Sequence, residues 1–490
     1  MFSKLRKRQV HFFGWLTLSL FIVFWWRSPA TADTAKHYKD LEFAPLPEIT
    51  LPNYERFQLT NGMTVYLIAD HELPLIEGRV LIRTGERWDP LDQVGLADIA
   101  TTVMRSGGTA NYSPDQLNQI LEDKAASVEV SVGNASGSAT FSGLSENTAL
   151  ILDLFAEVLQ RPAFDQAQID LAKKQIQGAI ARRNDEPGDI ASREFSKLIY
   201  GADNPYASTI EYATLKNIQR EDLIKFHQQY FHPANMILGI VGDFDPKEMR
   251  GLINKKFGNW QTTAPPLPAL PTVQQVNQGG IFFVEQPQLT QSNVLLGHLG
   301  GKYDSPDYPA LSVLNGVLNG FGSRLFNNIR SKEGLAYSVY GMWAANYDYP
   351  GLFVAGGQTR SESTVAFVKA INQEIERMRT EPVTAEELQQ AKESSLNSFI
   401  FNFASPAQTL SRLMSYQYYG YPEDFIFQYQ RAIAETTIED VQRVAQKYLQ
   451  PDKIVTLVVG NSQEIQPKLE TLTKGQKVIP IDVTIPGSKE

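Results

Sequence analysis

The chain has 490 residues, 42% of them hydrophobic, with 45 Lys and Arg against 54 Asp and Glu, a formal net charge of −9. That length exceeds a single hydrophobic core and predicts three or more domains, or a few large ones, while the acidic balance argues against nucleic acid and anionic membrane as partners. Cysteine is absent, so disulfides, a catalytic thiolate and thiolate zinc ligands are all excluded.

The first segment carries Lys4, Arg6, Lys7 and Arg8, then an apolar run from Phe12 to Trp26, then Ala30-Thr31-Ala32. A basic start, a short apolar stretch and an A-x-A site predict a signal peptide over 1–32, cleaved before Asp33, with an uncleaved anchor as the alternative. The chain is therefore expected to be exported, to a bacterial periplasm or an equivalent envelope space. Taking the leader's five basic residues from the 45 leaves 40 against 54 acidic ones, or −14. That suits cationic or unfolded peptides as substrates.

An internal repeat organises the rest of the chain. The stretch NIQREDLIKFHQQYFHPANMILGIVGD (217–243) corresponds to TTIEDVQRVAQKYLQPDKIVTLVVGN (436–461), with Asp222, Tyr230, Pro233 and Gly242 matching Asp440, Tyr448, Pro451 and Gly460. In the first copy Leu223, Phe226 and Tyr230 recur at helical spacing, Pro233 ends the helix, and Met236 to Val241 reads as a strand stopped by Gly242. Upstream, Tyr200-Gly201 matches Tyr419-Gly420, residues 165–176 match 384–395, and 78–90 match 292–306, with Asp89 against Asp304. The Asn-Gly of FQLTNGMTVYLIAD (57–70) predicts a hairpin turn. Strand runs followed by longer helices predict an α+β fold of two duplicated halves, each a mainly antiparallel sheet with helices on one face. The halves are expected at 33–260 and 281–490, joined by a Pro- and Gln-rich extended connector at 261–280.

The stretch LNGFGSRLFNNIRSKEGLAYSVYG (318–341) resembles the signature of the pitrilysin, insulinase and mitochondrial processing peptidase family of zinc proteases. The likeness rests on a Gly-rich turn, Ser323-Arg324-Leu325-Phe326, then Arg330 and Tyr337, together with LTNGMTVYLI and the duplicated halves. It implies a clam-like pair of halves around a peptide chamber. Active members carry His-x-x-Glu-His on an early helix, where the His pair at a spacing of four ligates zinc and the Glu is the general base. A Glu from a later helix completes the ligands. Here the frame of Gly95-Leu96-Ala97 and Gly107-Gly108-Thr109 places Asp98 and Thr102 at the His positions, Thr101 at the Glu position, and Ala179 at the distal Glu. One carboxylate and two hydroxyls offer at most one good zinc ligand and no base. The chain is expected to bind no metal and to be inactive as a peptidase on its own.

Other histidines offer no replacement. His227 and His232 are five apart, off a shared helical face, and read as a helix-surface and a helix-end residue; His71 reads as a solvated turn residue. In the second half the resemblance implies that Tyr337 donates to a developing oxyanion and that Arg330 holds substrate carbonyls or orients the Tyr. From the residues alone, Arg330 could be a solvated helix-end cation and Tyr337 a strand core residue. The expectation is a non-catalytic subunit of a heterodimer that supplies Arg330 and Tyr337 to a homologous partner holding zinc. The alternative is a catalytically silent peptide-binding or scaffold protein, possibly homodimeric. Relatives pair extended peptide with an edge strand bearing Asn-Ala-x-Thr; the corresponding ASVEVSVGN (126–134) has Glu129 at the Asn position. Its residues Ser127, Val128, Glu129, Val130 and Ser131 are the candidate peptide-binding strand, or serve only the sheet. The turn Asn319-Gly320-Phe321-Gly322-Ser323 lacks the Lys of a phosphate loop, so nucleotide binding is not expected.

Overall fold

The computed structural model describes residues 51–260, 265–473, 475 and 477–487. The leader reading of residues 1–32 and the first residues of the connector, 261–264, lie outside them. Among the described residues no helix is long and apolar enough to cross a membrane.

Among the described residues twelve strands form two six-stranded sheets. The first contains β1 (Glu55–Gln58), β2 (Thr64–Ala69), β3 (Leu75–Ile82), β4 (Ser127–Val132), β5 (Gly137–Leu144) and β6 (Met236–Gly242), in the order β1-β2-β6-β3-β5-β4. The second contains β7 (Gly280–Glu285), β8 (Gln291–Leu299), β9 (Ala336–Ala344), β10 (Leu352–Arg360), β11 (Val455–Gly460) and β12 (Ile479–Pro480), in the order β12-β7-β11-β8-β10-β9. Five strands of each sheet follow the same order, with β2 parallel to β6 and β7 parallel to β11, so the sequence repeat is a repeat of topology; the sixth differs, β1 running antiparallel beside β2 and the late strand β12 parallel beside β7. The Asn-Gly turn does join β1 to β2, with Gly62 at φ +92°.

The helices are α1 (Leu96–Ser106), α2 (Pro114–Asp123), α3 (Thr148–Gln160), α4 (Gln166–Arg182), α5 (Pro187–Tyr200), α6 (Tyr212–Asn217), α7 (Arg220–Tyr230), α8 (Pro246–Phe257), α9 (Tyr308–Leu318), α10 (Thr364–Thr380), α11 (Ala385–Ser398), α12 (Pro406–Tyr419), α13 (Phe425–Glu435) and α14 (Ile438–Tyr448). Each half packs most of its own helices on one face of its sheet. In the first half Val65, Val80, Val128 and Phe141 meet Ile99 and Val103 of α1 and Phe155 of α3 in one buried core.

The opposite faces are covered too, and by the other half. Helix α12, from the second half, sets Leu410, Leu413, Met414 and Tyr418 against Tyr66, Ile68, Leu81, Ile237 and Val241 of the first sheet. Helix α5, from the first half, sets Ile190, Phe195 and Ile199 against Phe282, Leu295, Leu457 and Val459 of the second. Helices on one face only was therefore too simple. Central strands such as β6 are buried at nearly every residue, and a strand apolar on both sides needs cover on both sides. Gly239 makes the approach of α12 possible: a Cβ there would lie 2.3 Å from Met414 Sδ and 2.9 Å from Leu410 Cδ2.

Polar contacts fix the exchanged helices at their ends. Tyr200 donates to Pro350 O at 2.9 Å, Tyr418 to Ala135 O at 2.8 Å, and Arg83 to Tyr418 O at 2.7 Å. Arg87, only 3% exposed, pairs across the halves with Asp348 at 2.6 Å. The described connector, 265–279, has no helix or strand but is tied down by Val276 N–H to Ile199 O and by Trp88 Nε1–H to Ala269 O.

Candidate functional site

Helix α1 starts at Gly95, whose φ of +102° suits glycine. The carboxylate of Asp89 accepts the N–H groups of Gly95 at 2.9 Å and Ala97 at 3.1 Å, satisfying donors that the helix start leaves open. Burial pushes the Asp89 carboxyl up to about 7 despite those amides. The corresponding buried acid in the second half is Asp307, which accepts from Arg443, Lys447 and Tyr448, whereas Asp304, matched to Asp89 by sequence, forms a surface pair with Lys302.

The three residues standing where zinc ligands and a base are expected do not act together. Thr101 is 1% exposed and donates back to its own helix, to Ala97 O at 3.0 Å and Asp98 O at 3.2 Å. Thr102 is exposed, Asp98 is half-buried, and Ala179 is exposed on α4. Burial raises the Asp98 carboxyl, and Glu86 is raised by burial and by the charge of Asp98. A single carboxylate beside a hydroxyl committed to its helix does not match the nitrogen and carboxylate donors zinc takes. Among the described residues no group of three or more His, Cys, Asp or Glu is placed to hold a metal ion.

The histidines are packed more deeply than their spacing suggests. His232 is 1% exposed and bonds Asn235 at 2.9 Å, and half-buried His227 bonds Leu159 O at 2.8 Å and stacks on Phe231. Neither is a surface residue; burial lowers both and favours their neutral forms. His71 is exposed as expected, but it pairs with Asp243 at 2.6 Å.

Ser127, Val128, Glu129, Val130 and Ser131 lie on β4, which is the edge of the first sheet. Val128 and Val130 face the core, while Glu129 and Ser131 are exposed. Ser127 bonds Ser142 at 2.8 Å. Beside this edge the sheet and α12 leave between them a groove of about 420 Å³, lined by Glu77, Arg79, Ser127, Thr140, Ser142 and Ser411 among others. The residue that sequence reasoning missed is Arg105: its Nε donates to Val128 O at 2.6 Å and its Nη1 to Asn118 at 2.8 Å. A signal existed, since Arg105 lies seven residues after Asp98 and so on the same helical stripe.

Arg330 and Tyr337 are brought together at the matching edge of the second sheet. The segment Phe326–Lys332 is a π-helix, and its wide turn sets Arg330 between two rings, with Cζ 4.8 Å from the centroids of both Phe326 and Tyr337. Tyr337 is the extra residue of a β-bulge: Gln358 pairs with Ser338 and Thr359 with Ala336, so the ladder skips it. A bulge re-aims a side chain out of the sheet's alternation, and Tyr337 is 83% exposed. It is not a strand core residue. Among the described residues neither side chain makes a hydrogen bond or ion pair. The glycine turn before them has Gly320 at φ +112° and Gly322 at +81°, and holds out Phe321, whose ring lies 5.1 Å from Phe326.

Comparison with known proteins agrees with this geometry. Residues 64–212 match the model of the insulinase family, peptidase family M16, and residues 217–395 match that of the peptidase M16 inactive domain. The chain belongs to the M16 peptidase family. An uncharacterized zinc protease of Rickettsia felis is 25% identical to it over 349 residues, 69% of this chain and 81% of that one. The non-peptidase homologue YmxG of Helicobacter pylori is 23% identical over 402 residues, 81% and 91% of the two chains. A crystal structure of a peptidase M16 inactive domain from Pseudomonas fluorescens superposes with a TM-score of 0.75 at 26% identity, covering 84% of this chain and 98% of the other. With its metal positions filled by Asp98, Thr101, Thr102 and Ala179, this M16 chain is of the non-catalytic type.

Proposed function

We propose that this M16 chain is the non-catalytic, substrate-binding subunit of a heterodimeric zinc peptidase, and that it lends Arg330 and Tyr337 to the active site of a homologous, zinc-holding partner. The observation that carries this is the arrangement of the pair. A guanidinium fixed between two rings and a phenol turned outward by a bulge have their donors free among the described residues, on the edge of a sheet. Preorganised donors of this kind act on charge that develops in a transition state, yet this chain has no group of its own to create that charge. Zinc belongs to the partner in this reading; this chain binds no cofactor.

Peptide would lie along β4, where Val130 and Val132 supply edge groups, with Glu129 and the adjoining groove giving side-chain selectivity. The basic leader with its A-x-A site supports export to the periplasm or an equivalent envelope space, free or anchored.

The test is reconstitution. The chain lacking residues 1–32 should capture a homologue bearing intact His-x-x-Glu-His, and it should show no cleavage with zinc alone. In the complex, Tyr337→Phe and Arg330→Ala should each lower kcat by about 100-fold or more, the size seen when one oxyanion donor is removed. Zinc-dependent, chelator-sensitive cleavage by the isolated chain would sink the reading. Unchanged cleavage by the variant complexes would favour the second reading, a silent peptide-binding or scaffold protein in which the pair only packs; self-association without a homologue would make that protein a homodimer.

A further inference from the structure

The β4 edge is open over only part of its length, and what closes it is a cation. The β4–β5 hairpin is fastened by Gly133 N–H to Ser136 O. Counting back along the antiparallel ladder, Ser131, Glu129 and Ser127 turn their main-chain groups towards β5, and Val132, Val130 and Val128 turn theirs outward. Two contacts agree with that count: Ala126 N–H is taken by Leu121 O, and Val128 O by the Nε of Arg105 at 2.6 Å. A peptide can therefore pair with Val132 and Val130, and on reaching Val128 it meets a guanidinium.

Arg105 is held for such a role. Its Nη1 donates to Asn118 Oδ1 at 2.8 Å, which leaves the Asn118 amide nitrogen as a further donor. Its Nη2 has no hydrogen bond among the described residues, and its nearest carboxylate, Glu129, is 3.9 Å away on a side chain 64% exposed. An antiparallel peptide laid on β4 passes Val132 first and Val128 last, so the end that arrives at Arg105 is its carboxy terminus.

We propose that Arg105, with Asn118, is an end-stop that binds the free carboxylate of an extended peptide on the β4 edge. This face then takes the last few residues of a peptide and not an internal stretch. The ligand class is a peptide with a free carboxy terminus, held by main-chain pairing to Val130 and Val132 and by a charge-assisted contact to Arg105. The proposal rests on the reading of β4 as a peptide-binding edge.

The experiment uses the chain lacking residues 1–32 and the probe Lys-Val-Thr-Val-Ser-Val, prepared as free acid and as carboxamide, with affinity read by fluorescence anisotropy. The free acid should bind at least about tenfold tighter, the scale of a charge-assisted hydrogen bond. Arg105→Gln should abolish that preference, while Glu129→Gln should strengthen it. Hydrogen exchange of the unmutated chain should show the Val130 and Val132 amides slowed by the free acid, a readout independent of how any variant folds. Equal affinity for acid and amide, or protection elsewhere, overturns the end-stop. Failure of both probes to bind overturns it together with the peptide-edge reading, and the effect of Tyr337→Phe in the reconstituted complex still reports separately on the lent pair.

Discussion

The ion pair between Arg87 and Asp348 should matter more to stability than any surface pair in the molecule. The Arg87 side chain is 3% exposed and that of Asp348 18%, with 2.6 Å between Nη1 and Oδ2. Replacing Asp348 with Ala leaves a guanidinium out of water with its charge uncompensated, and its Nε already lacks a hydrogen-bond partner among the described residues. Removing one member of a buried pair costs about 3–5 kcal/mol. The Trp88 ring, 4.7 Å from Arg87 Cζ, still attracts the cation, by about 1 kcal/mol, so we expect Asp348→Ala to cost about 3 kcal/mol. Arg87→Met with Asp348→Ala removes the stranded charge as well as its partner, and the double variant should be less destabilised than the sum of the two single variants by roughly 1–3 kcal/mol. Urea denaturation of the chain lacking residues 1–32, followed by far-ultraviolet circular dichroism, measures all four corners of this cycle. A cost below about 1 kcal/mol for Asp348→Ala, or strict additivity, would show that the exchanged helices alone hold the halves together.

Leu413, 2% exposed where α12 meets the first sheet, should cost about 2–5 kcal/mol on change to Ala, and the loss should appear in both halves at once because α12 belongs to one and covers the other; a separate transition for each half in urea would refute the interlock. Burial lowers His227, His232 and His298, so the stability their neutral forms contribute is full above the unfolded value of about 6.5 and is lost as pH falls below it through the folded values. Asp89, pushed up to about 7, slopes the other way: the stability gained from its raised value is lost as pH rises towards 7. The histidine effect is therefore read as a difference, with His298→Gln expected to lose less stability than the unmutated chain between pH 7.5 and 5. Tyr337→Phe, at an exposed position, should leave stability within about 0.5 kcal/mol, so any kinetic effect in a complex is not a folding defect. Excess zinc or a chelator should leave the urea midpoint of the isolated chain unmoved, since a ligand bound only by the native state would raise it.

The sequence repeat made the architecture legible, because helix period, terminal Pro233 and Pro451, and a run of strand residues recur in both halves and reappear as α7 with β6 and α14 with β11. Placing ASVEVSVGN on a strand was equally accessible, since its alternation reads directly as one buried and one exposed face. The matched Tyr200-Gly201 and Tyr419-Gly420 revealed that a helix end is duplicated, but a local pattern cannot say which sheet a helix covers; that is settled by the apolar residues on the second face of each sheet, where α5 and α12 change places. The outward turn of Tyr337 was hidden for a related reason. It comes from one residue left unpaired between Ala336 and Ser338, and the ladder that omits it includes β10, twenty residues further on. Arg105 was hidden because a lone Arg on a helix reads as a solvated cation, and the carbonyl that holds it, Val128 O, lies 23 residues further along the chain.

How α1 can lose a metal site and keep its place is visible in the way its two sides differ. Leu96, Ala97, Ile99, Ala100, Val103 and Met104 are buried in the first core, and the helix start is held by Asp89. None of that depends on Asp98, Thr102 or Arg105, which lie on the less buried stripe, and Thr101 satisfies its hydroxyl within the helix. Substitution along this stripe therefore removes catalysis at little cost to the fold. The second half presents the opposite case: Tyr337 is 83% exposed, and half-buried Arg330, set between two rings, makes no hydrogen bond or ion pair among the described residues. Side chains without polar partners add little to folding, so a π-turn and a bulge that together set such a pair at a sheet edge make more sense as recognition than as architecture. On this reasoning the two proposals place the chain's remaining chemistry on its sheet edges, carboxylate reading at β4 and donor presentation at β9.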